Sequence, residues 1–223
     1  YDYLAIPSIV GRKTEKEKFA GVEYTYIVEA LMYNGVALQS GTSHFFGQKF
    51  SKAYDIKYLN RENKLDYPYQ TSWGVSTRMM GALIMVHSDD YGLVLPPRIA
   101  PNKVVIIPIS NDLEVMSMAN DYLDKLKKEG IKAYIDDSEK SPGYKFAEAE
   151  VLGIPVRIEI GKRDLENNVI TLVRRDTREK REIFTNTDIV HDVKILLEDI
   201  QRDMYDRALR RREEMTYTCT DIE

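Results

Sequence analysis

The sequence predicts a mixed α/β (α+β) fold built in two parts, and three observations carry this prediction. Residues 71–95 have the pattern of a strand, a helix and a second strand. A proline-rich segment at 96–101 interrupts both helix and central strand. After it, strand-like and helix-like segments alternate. We therefore expect a domain boundary near residue 100.

Length and composition indicate a globular enzyme fragment. The chain has 223 residues, a hydrophobic fraction of 43% and a net charge of −4, so it can bury one large core or two ordinary ones. No apolar run approaches the roughly 20 residues that cross a bilayer, and no signal peptide opens the chain. A single cysteine cannot form an internal disulfide, which agrees with a reducing, cytoplasmic location.

The first part contains one helix with start and stop signals. Ser76 can cap its amino end, and Gly92 allows a turn into an apolar strand at 93–95. Apolar residues recur at helical spacing, at Met79, Met80, Leu83, Ile84 and Val86. The pattern predicts a buried helix.

Arg78 is the charged residue that begins this apolar run. It falls in the first helical turn, near unpaired backbone N–H groups and the positive end of the helix dipole, which suits an anion such as phosphate. A salt bridge to a carboxylate elsewhere in the chain explains one arginine equally well. The residue pattern alone leaves both interpretations open.

Three segments resemble the prolyl-tRNA synthetase family, of the archaeal and eukaryotic type. TSWGVSTR at 71–78, followed by GALIMVHSDDYGLVLPP at 81–97, is similar to motif 3 of these class II synthetases. KTEKEKFAG at 13–21 and LQSGTSHFFGQKF at 38–50 resemble two further family segments. The resemblance implies that residues 1–100 are the later half of the antiparallel class II catalytic sheet.

The resemblance also implies roles for individual side chains. Arg78 would be the catalytic residue that braces the phosphates of ATP, with Gln39, Thr42 and Ser76 as further ATP-binding residues. Gln39 would also lie near Mg²⁺. Phe19 and His44 would form part of a proline pocket. These types suit the task, because arginine can hold two phosphate oxygens at once and an amide both donates and accepts.

Simpler explanations remain for the same residues. Gln39, Thr42 and His44 follow a strand-like segment at 35–38, so a polar turn beside an edge strand accounts for them. Phe19 on its own is a typical core residue.

The second part reads as strands separated by helices. Strands are predicted at 103–109, 131–135 and 154–160, with an amphipathic helix that ends at Gly130 and a short helix at 144–152. Leu113, Met116, Ala119, Tyr122, Leu123 and Leu126 mark the amphipathic helix. Intervening helices favour a largely parallel sheet. A hairpin at 168–174 and 181–185 would complete a mixed five-stranded sheet.

This order of elements resembles the anticodon-binding domain of class II synthetases. SPGYKFAEAEVLGIPVRIEIGKRD at 141–164 is similar to a prolyl-tRNA synthetase pattern in which Glu150, Arg157 and Arg163 would contact anticodon bases. Carboxylates and guanidinium groups do suit base recognition. A Glu150–Arg157 surface ion pair, worth at most about 1 kcal/mol, is the alternative.

The hairpin also carries a cluster of basic residues, which are Arg174, Arg175, Arg178, Lys180 and Arg181. A solvated hairpin or contact with RNA phosphate would explain it.

A long helix from about Asp188 is predicted next, because an apolar stripe runs through a highly charged segment. We expect residues 204–223 to begin a C-terminal extension. Some family members bind zinc there through four cysteines, but Cys219 is the only cysteine in this chain, so no zinc site is predicted.

Together these expectations give residues 1–100 as the carboxyl-side part of a class II catalytic domain and 101–203 as an anticodon-binding domain. The resemblance implies a proline--tRNA ligase that uses ATP and Mg²⁺, binds L-proline and tRNA(Pro), and forms a homodimer without membrane contact. Motif 2 and the proline-selecting loop are not present, so the segment alone is expected to be inactive. A noncatalytic tRNA-binding or regulatory paralogue, or another class IIa synthetase, is the alternative.

Overall fold

The computed structural model describes residues 1–220, which form two compact units. The amino-side unit is Pro7–Val86. The carboxyl-side unit combines Tyr1–Ile6 with the residues from His87 onward. The mixed α/β class predicted from the sequence is confirmed in both units.

The amino-side unit is built around an antiparallel sheet. In chain order its elements are β1 (Ser8–Arg12), β2 (Tyr24–Leu31), β3 (Ala37–Gly47), α1 (Lys49–Ala53), β4 (Tyr58–Leu59), β5 (Leu65–Asp66), β6 (Gln70–Gly74) and α2 (Arg78–His87). The main sheet has the order β1-β2-β3-β6, with every neighbouring pair antiparallel. β4 and β5 form a separate hairpin.

Helix α2 begins at the predicted place but is not buried as predicted. The hydroxyl of Ser76 accepts a hydrogen bond from the backbone N–H of Arg78 at 3.3 Å, so the predicted cap is confirmed. Only Ala82 and Val86 of the helix are buried, whereas Met80 is 66% exposed. Helical spacing showed which residues share a face, but it could not show what covers that face.

The prediction of a strand at 93–95 is wrong. Asp89 and Gly92 form an isolated bridge, and Leu93 donates its N–H to the carbonyl of Val151 at 3.1 Å without starting a ladder. Gly92 does make the predicted turn. Its φ is 137°, and a Cβ atom there would lie 2.4 Å from Cα of Val151.

The boundary between the units lies at Val86/His87, earlier than the predicted break at 96–101. Residues 87–95 belong to the carboxyl-side unit and are attached to it by polar contacts. The guanidinium of Arg175 donates to both carboxylate oxygens of Asp89, at 2.9 and 2.6 Å. Prolines mark a break in hydrogen bonding, but side-chain contacts decided which unit holds the segment before them.

The carboxyl-side unit contains the mixed five-stranded sheet. Its elements are β7 (Val104–Pro108), α3 (Leu113–Lys128), β8 (Ala133–Ile135), α4 (Pro142–Val151), β9 (Val156–Ile160), α5 (Lys162–Glu166), β10 (Val169–Arg174), β11 (Lys180–Phe184) and α6 (Ile189–Glu214). The strand order is β11-β10-β9-β7-β8. β7 pairs with β8 and β9 in parallel, while β10 pairs with β9 and β11 antiparallel.

Strand β7 is buried on both faces and organises this core. Val104 and Ile106 join the main apolar cluster, which includes residues of α3 and α6. Val105 and Ile107 face a second cluster, which contains Ala149 of α4. The sheet therefore lies between helices, as expected for a strand with parallel neighbours and an uninterrupted apolar sequence.

Helix α6 continues past the expected start of the C-terminal extension. The carboxylate of Asp188 caps it by accepting from the N–H groups of Val190 and His191. Met204 and Ala208 are buried, so residue 204 lies inside a packed helix. No helix within residues 1–220 is both long enough and apolar enough to span a membrane.

His87 links the end of α2 to the first residues of the chain. Its Nε2 lies 2.8 Å from the carbonyl oxygen of Leu4, so Nε2 carries the proton and donates it. Burial lowers the pKa of His87 to about 4, assisted by the positive charges of Arg207 and Arg211. The ring is therefore neutral in the folded unit.

This pKa predicts a loss of stability in acid. Because the unfolded ring binds a proton near pH 6.5 and the folded ring near pH 4, His87 favours folding above pH 6.5. Its contribution, about 3 kcal/mol, is lost as the pH falls through that window. His87→Gln keeps a donor for Leu4 but does not titrate, so its urea-unfolding free energy should vary less between pH 7 and 4.

His191→Gln is the matched control, since His191 is exposed. Parallel pH profiles for His87→Gln and the unmodified chain would contradict this account of His87.

Candidate functional site

Five of the residues singled out in the sequence line one groove of the amino-side unit. Its volume is about 400 Å³. The groove runs along β3, the end of β6 and the start of α2, and the singled-out residues in its lining are Gln39, Thr42, His44, Ser76 and Arg78. Segments nearly 40 residues apart in the chain thus contribute to one polar surface.

An irregularity in β3 puts its polar side chains on the same face. Gln39 and Thr42 are three residues apart and would point to opposite faces of a regular strand. The register shifts, however, so that Gln39 pairs with Glu29 and Thr42 pairs with Ile27. Those partners are two residues apart on β2 and share a face. The extra residue, Ser40, is a β-bulge that brings Gln39 to the face of Thr42.

The structure is incompatible with a polar turn as the explanation for these residues. Gln39, Thr42 and His44 lie within β3, which has β2 on one side and β6 on the other. The strand is central rather than at the edge of the sheet. The polar residues therefore form a hydrogen-bonded surface with fixed register.

Among the described residues, Arg78 is presented at the groove without an acidic partner. Its side chain is exposed, and its Nη1 donates to the backbone carbonyl of Gln39 at 3.2 Å. Within residues 1–220 it forms no ion pair, so the salt-bridge explanation fails for the described chain. One guanidinium edge is held by Gln39 while its charge remains uncompensated. This arrangement can bind an anion.

His44 and Phe19 lie next to each other at one side of the groove. Their ring centroids are 5.8 Å apart, and the ring centroid of Phe46 is 5.9 Å from that of His44. Phe19 is 59% exposed, so it is not a core residue. It lines a neighbouring apolar cavity of about 380 Å³, and Ser72 belongs to the lining of both this cavity and the groove.

Two residues of this site were missed in the sequence. Thr25 is fully buried, and its hydroxyl lies 2.8 Å from Nδ1 of His44. Glu29 lies directly opposite Gln39 and makes no ion pair within the described residues. Both lie in β2, whose sequence looks like an ordinary strand. Only the pairing register of β2 with β3 could have identified them.

A second polar cluster lies in the carboxyl-side unit around Arg157. Its Nε donates to Oε1 of Glu159 at 2.9 Å, and its Nη1 donates to Oε1 of Glu150 at 3.3 Å. The guanidinium carbon lies 4.5 Å from the centre of the Phe146 ring. Arg157 is only 7% exposed. The Glu150–Arg157 pair therefore exists but is largely buried, not the surface pair that we considered.

Other groups of this cluster remain available to a ligand. The side chain of Glu150 is 21% exposed, and its Oε2 forms no hydrogen bond within residues 1–220. Lys180 donates to Oε2 of Glu159 at 3.2 Å and is also near the Phe146 ring. Glu159 and Phe146 were missed in the sequence, and Lys180 was noted only as part of the basic cluster, because their contacts around Arg157 arise from the packing of three different elements.

Arg163 does not join the Glu150–Arg157 cluster through any described contact. It lies on α5, its side chain is exposed, and no hydrogen bond or ion pair of its guanidinium is formed in the described chain. Within residues 1–220, the three predicted base-contacting residues thus divide into an ion pair of buried Arg157 with half-buried Glu150, and an arginine whose side chain forms no hydrogen bond or ion pair.

Most of the basic cluster of the hairpin is paired with other side chains rather than free for phosphate. Arg174 donates to Asp176 and Asp203, and Arg175 to Asp89. The Arg178 guanidinium lies 3.9 Å from the centre of the Tyr91 ring, and Lys180 bonds to Glu159. Asp176 lies within the hairpin itself. The other partners, Asp89, Asp203, Glu159 and Tyr91, come from distant parts of the chain, so sequence clustering could not reveal them. Arg181 stays exposed.

A family model and several known proteins match this chain over part or all of its length. Residues 103–189 match the family model described as the anticodon binding domain. A proline--tRNA ligase of Chlorobium phaeovibrioides is 52% identical over 225 aligned residues, which cover 100% of this chain and 47% of that protein. The proline--tRNA ligase of Lachnoclostridium phytofermentans is 54% identical over 223 residues, with 100% and 46% covered.

A solved structure is also similar over nearly the whole chain. It is a prolyl-tRNA synthetase from Cryptosporidium parvum, complexed with L-proline and AMP, with a TM-score of 0.89 and 38% identity. The match covers 96% of this chain and 47% of that one. The chain spans about half the length of the curated relatives it matches.

Substitution of Arg78 and Arg175 tests whether an exposed arginine and a buried, ion-paired arginine contribute differently to stability. Arg78→Ala should change the free energy of unfolding by less than about 0.5 kcal/mol, since the side chain is exposed and makes one hydrogen bond. Arg175→Ala should lower it by about 3 kcal/mol, because Asp89 loses a buried partner. Urea unfolding measures both, and similar losses would contradict the assignment.

Proposed function

Because the chain belongs to the prolyl-tRNA synthetase family, we propose that it is the carboxyl-side part of a proline--tRNA ligase. The complete protein would join proline to ATP, forming prolyl-adenylate and pyrophosphate, and then transfer the prolyl group to tRNA(Pro). The observation that carries this proposal is the convergence of Gln39, Thr42, His44, Ser76 and Arg78 on one groove. The relatives named as proline--tRNA ligases support it.

Arg78 is assigned to the phosphates of ATP. Proline activation requires a carboxylate to approach the α-phosphate, so two negative groups must be held together while charge develops on pyrophosphate. The guanidinium of Arg78 is charged, is held by the Gln39 carbonyl and has no acidic partner in the described chain. It can therefore offset phosphate charge without first breaking an ion pair. Thr42 and Ser76 add hydroxyl groups along the same surface.

The polar surface beside Arg78 is compatible with Mg²⁺ as a companion of ATP. Magnesium binds oxygen donors, commonly one or two carboxylates together with substrate phosphates. Gln39 offers an amide oxygen, and Glu29, its cross-strand partner, offers a carboxylate with no ion pair in the described chain. These two residues would hold the ion, which shields phosphate charge when it is bound.

The Phe19–His44 side of the groove is assigned to proline. The pyrrolidine ring is apolar and suits the face of Phe19, while its carboxylate can accept a hydrogen bond from His44. The relative from Cryptosporidium parvum was solved in complex with L-proline and AMP, which supports a site for an amino acid and a nucleotide. Amino-acid and nucleotide ends would then meet near Thr42.

The carboxyl-side unit is assigned to the anticodon of tRNA(Pro), in agreement with the family model that it matches. Oε2 of Glu150 can accept from a base N–H, and the free guanidinium of Arg163 can donate to base acceptors. Arg157 is pre-positioned by Glu159 and Phe146, so it loses little freedom on binding a base.

Exposed apolar residues in the amino-side unit are consistent with a larger protein. Trp73, Val75 and Met80 are 75%, 77% and 66% exposed, respectively. Large apolar exposure is typical of surfaces covered by another segment or subunit. We assign this surface to the remaining half of the ligase and to a homodimer contact. The isolated chain should then fail to activate proline, and the complete ligase should act in the cytoplasm.

The proposal for Arg78 is tested in the complete ligase by proline-dependent exchange of pyrophosphate into ATP. Arg78→Ala should lower kcat/KM by about 100-fold or more, because phosphate charge loses its main cation. Arg78→Lys should recover only part of this, since lysine cannot hold two oxygens. Arg61→Ala, at an exposed position in the β4–β5 turn, is the control. Unchanged exchange in Arg78→Ala would remove Arg78 from the mechanism.

The anticodon assignment is tested with Arg163→Ala, which should leave unfolding unchanged but raise the KM for tRNA(Pro) about tenfold. Arg181→Ala is a matched control, because Arg181 is also exposed and on the same unit. Pyrophosphate exchange without tRNA should be unaffected in both variants. An equal rise in KM for the two would indicate a diffuse charge effect instead of base recognition.

A further inference from the structure

We propose that Thr25 is a positioning residue that fixes His44 in one tautomer, with the ring proton on Nε2. The ring would then present a permanent N–H donor to an oxygen atom of the ligand, such as a carboxylate or its acyl derivative. Neither the family resemblance nor the motif pattern assigns a role to Thr25. The part concerning the ligand rests on the proposed role of His44 at the proline side of the groove.

The cross-strand register makes the contact between the two side chains obligatory. Thr25 of β2 lies directly opposite His44 of β3, so both side chains are on the same face of the sheet. Thr25 is 0% exposed, and its Oγ1 lies 2.8 Å from Nδ1 of His44. This distance is that of a well-formed hydrogen bond. The backbone of two paired strands therefore holds hydroxyl and ring together.

The direction of the hydrogen bond follows from the burial of the hydroxyl. A hydroxyl has one proton to donate, and a buried proton without an acceptor is unfavourable. Within residues 1–220, Nδ1 of His44 is the only side-chain or backbone atom that bonds to Oγ1 of Thr25. If Nδ1 carried a proton, the hydroxyl proton would have no acceptor. Thr25 therefore donates, and Nδ1 is unprotonated.

Aromatic neighbours restrict rotation of the His44 ring away from Thr25. Phe19 and Phe46 have ring centroids 5.8 and 5.9 Å from that of His44, at interplanar angles of 49° and 45°. A half-turn of the imidazole would exchange its nitrogen and carbon edges and break the bond to Thr25. Nε2 forms no hydrogen bond within the described residues, and His44 lines the groove. The fixed donor is thus available to a ligand.

The functional consequence is that the ring presents a fixed donor to the groove. A free neutral imidazole exchanges between two tautomers, so Nε2 would be an acceptor for part of the time and would repel a ligand oxygen. Thr25 removes that state. The amide or hydroxyl residues of the groove can rotate between donor and acceptor, whereas His44 in this setting is a donor only. The groove therefore has one polarity at its proline side.

The tautomer is measured directly in the 223-residue chain by nitrogen NMR of the histidine rings. The chain has three histidines, and His44→Gln assigns the signal of His44. In the unmodified chain we expect a protonated Nε2 and an unprotonated Nδ1. Thr25→Val should give signals averaged between the two tautomers, whereas Thr25→Ser, which keeps the hydroxyl, should preserve the original pattern. The exposed ring of His191 is the internal reference.

An unchanged His44 tautomer in Thr25→Val would overturn the proposal. Because Thr25 is fully buried, folding of each variant is checked by amide signal dispersion. Thr25→Ala removes the same hydroxyl without placing a methyl group against Nδ1, and it replaces Thr25→Val if that variant does not fold.

Kinetics of the complete ligase then separate this proposal from the proposed function. Thr25→Val should raise the KM for proline about twofold, because the ring then carries its proton on Nε2 only part of the time, with little change in the KM for ATP, and Thr25→Ser should restore it. If His44→Gln leaves the KM for proline unchanged, the proline assignment of His44 fails while the tautomer result stands. If His44→Gln raises that KM but Thr25→Val changes only the tautomer, presentation of the N–H to the ligand is refuted.

Discussion

The register between β2 and β3 is the constraint on which the candidate site depends. One extra residue, Ser40, lets Gln39 share a face with Thr42 and His44. The same register sets Glu29 beside Gln39 and Thr25 beside His44. A strand side chain can reach only one face, so a regular ladder would divide these groups between two surfaces. The bulge therefore determines which polar side chains meet in the groove.

The arginines of this chain show how the fold separates structural charges from available ones. Arg175 and Arg174 are held in internal ion pairs by Asp89, Asp176 and Asp203. Such pairs repay desolvation only when the geometry is good, and they leave little charge for a ligand. Arg78 and Arg163 have no carboxylate partner in the described chain. Availability, rather than the number of basic residues, distinguishes the candidate binding positions.

Sequence periodicity was a good guide to the carboxyl-side unit, and the reason is its buried parallel core. The predicted strands at 103–109 and 154–160 correspond to β7 (Val104–Pro108) and β9 (Val156–Ile160). Continuous apolar runs and a helix with a clear stripe leave few alternatives. Periodicity was misleading at 93–95, where an apolar segment packs without pairing, and in α2, whose apolar face is largely exposed. Apolar character reveals a tendency to be buried, not the partner that buries it.

The sequence by itself determined the element types, the cap of α2 at Ser76 and the motifs that identify the family, because these depend on local geometry and residue type. It also supplied the main candidate residues of the groove. Only the tertiary structure decided that Gln39 and Thr42 share a face, that Thr25 holds His44, and that most of the basic cluster is internally paired. Each of these depends on contacts between residues far apart in the chain, and strand register and side-chain packing arise only when the chain has folded.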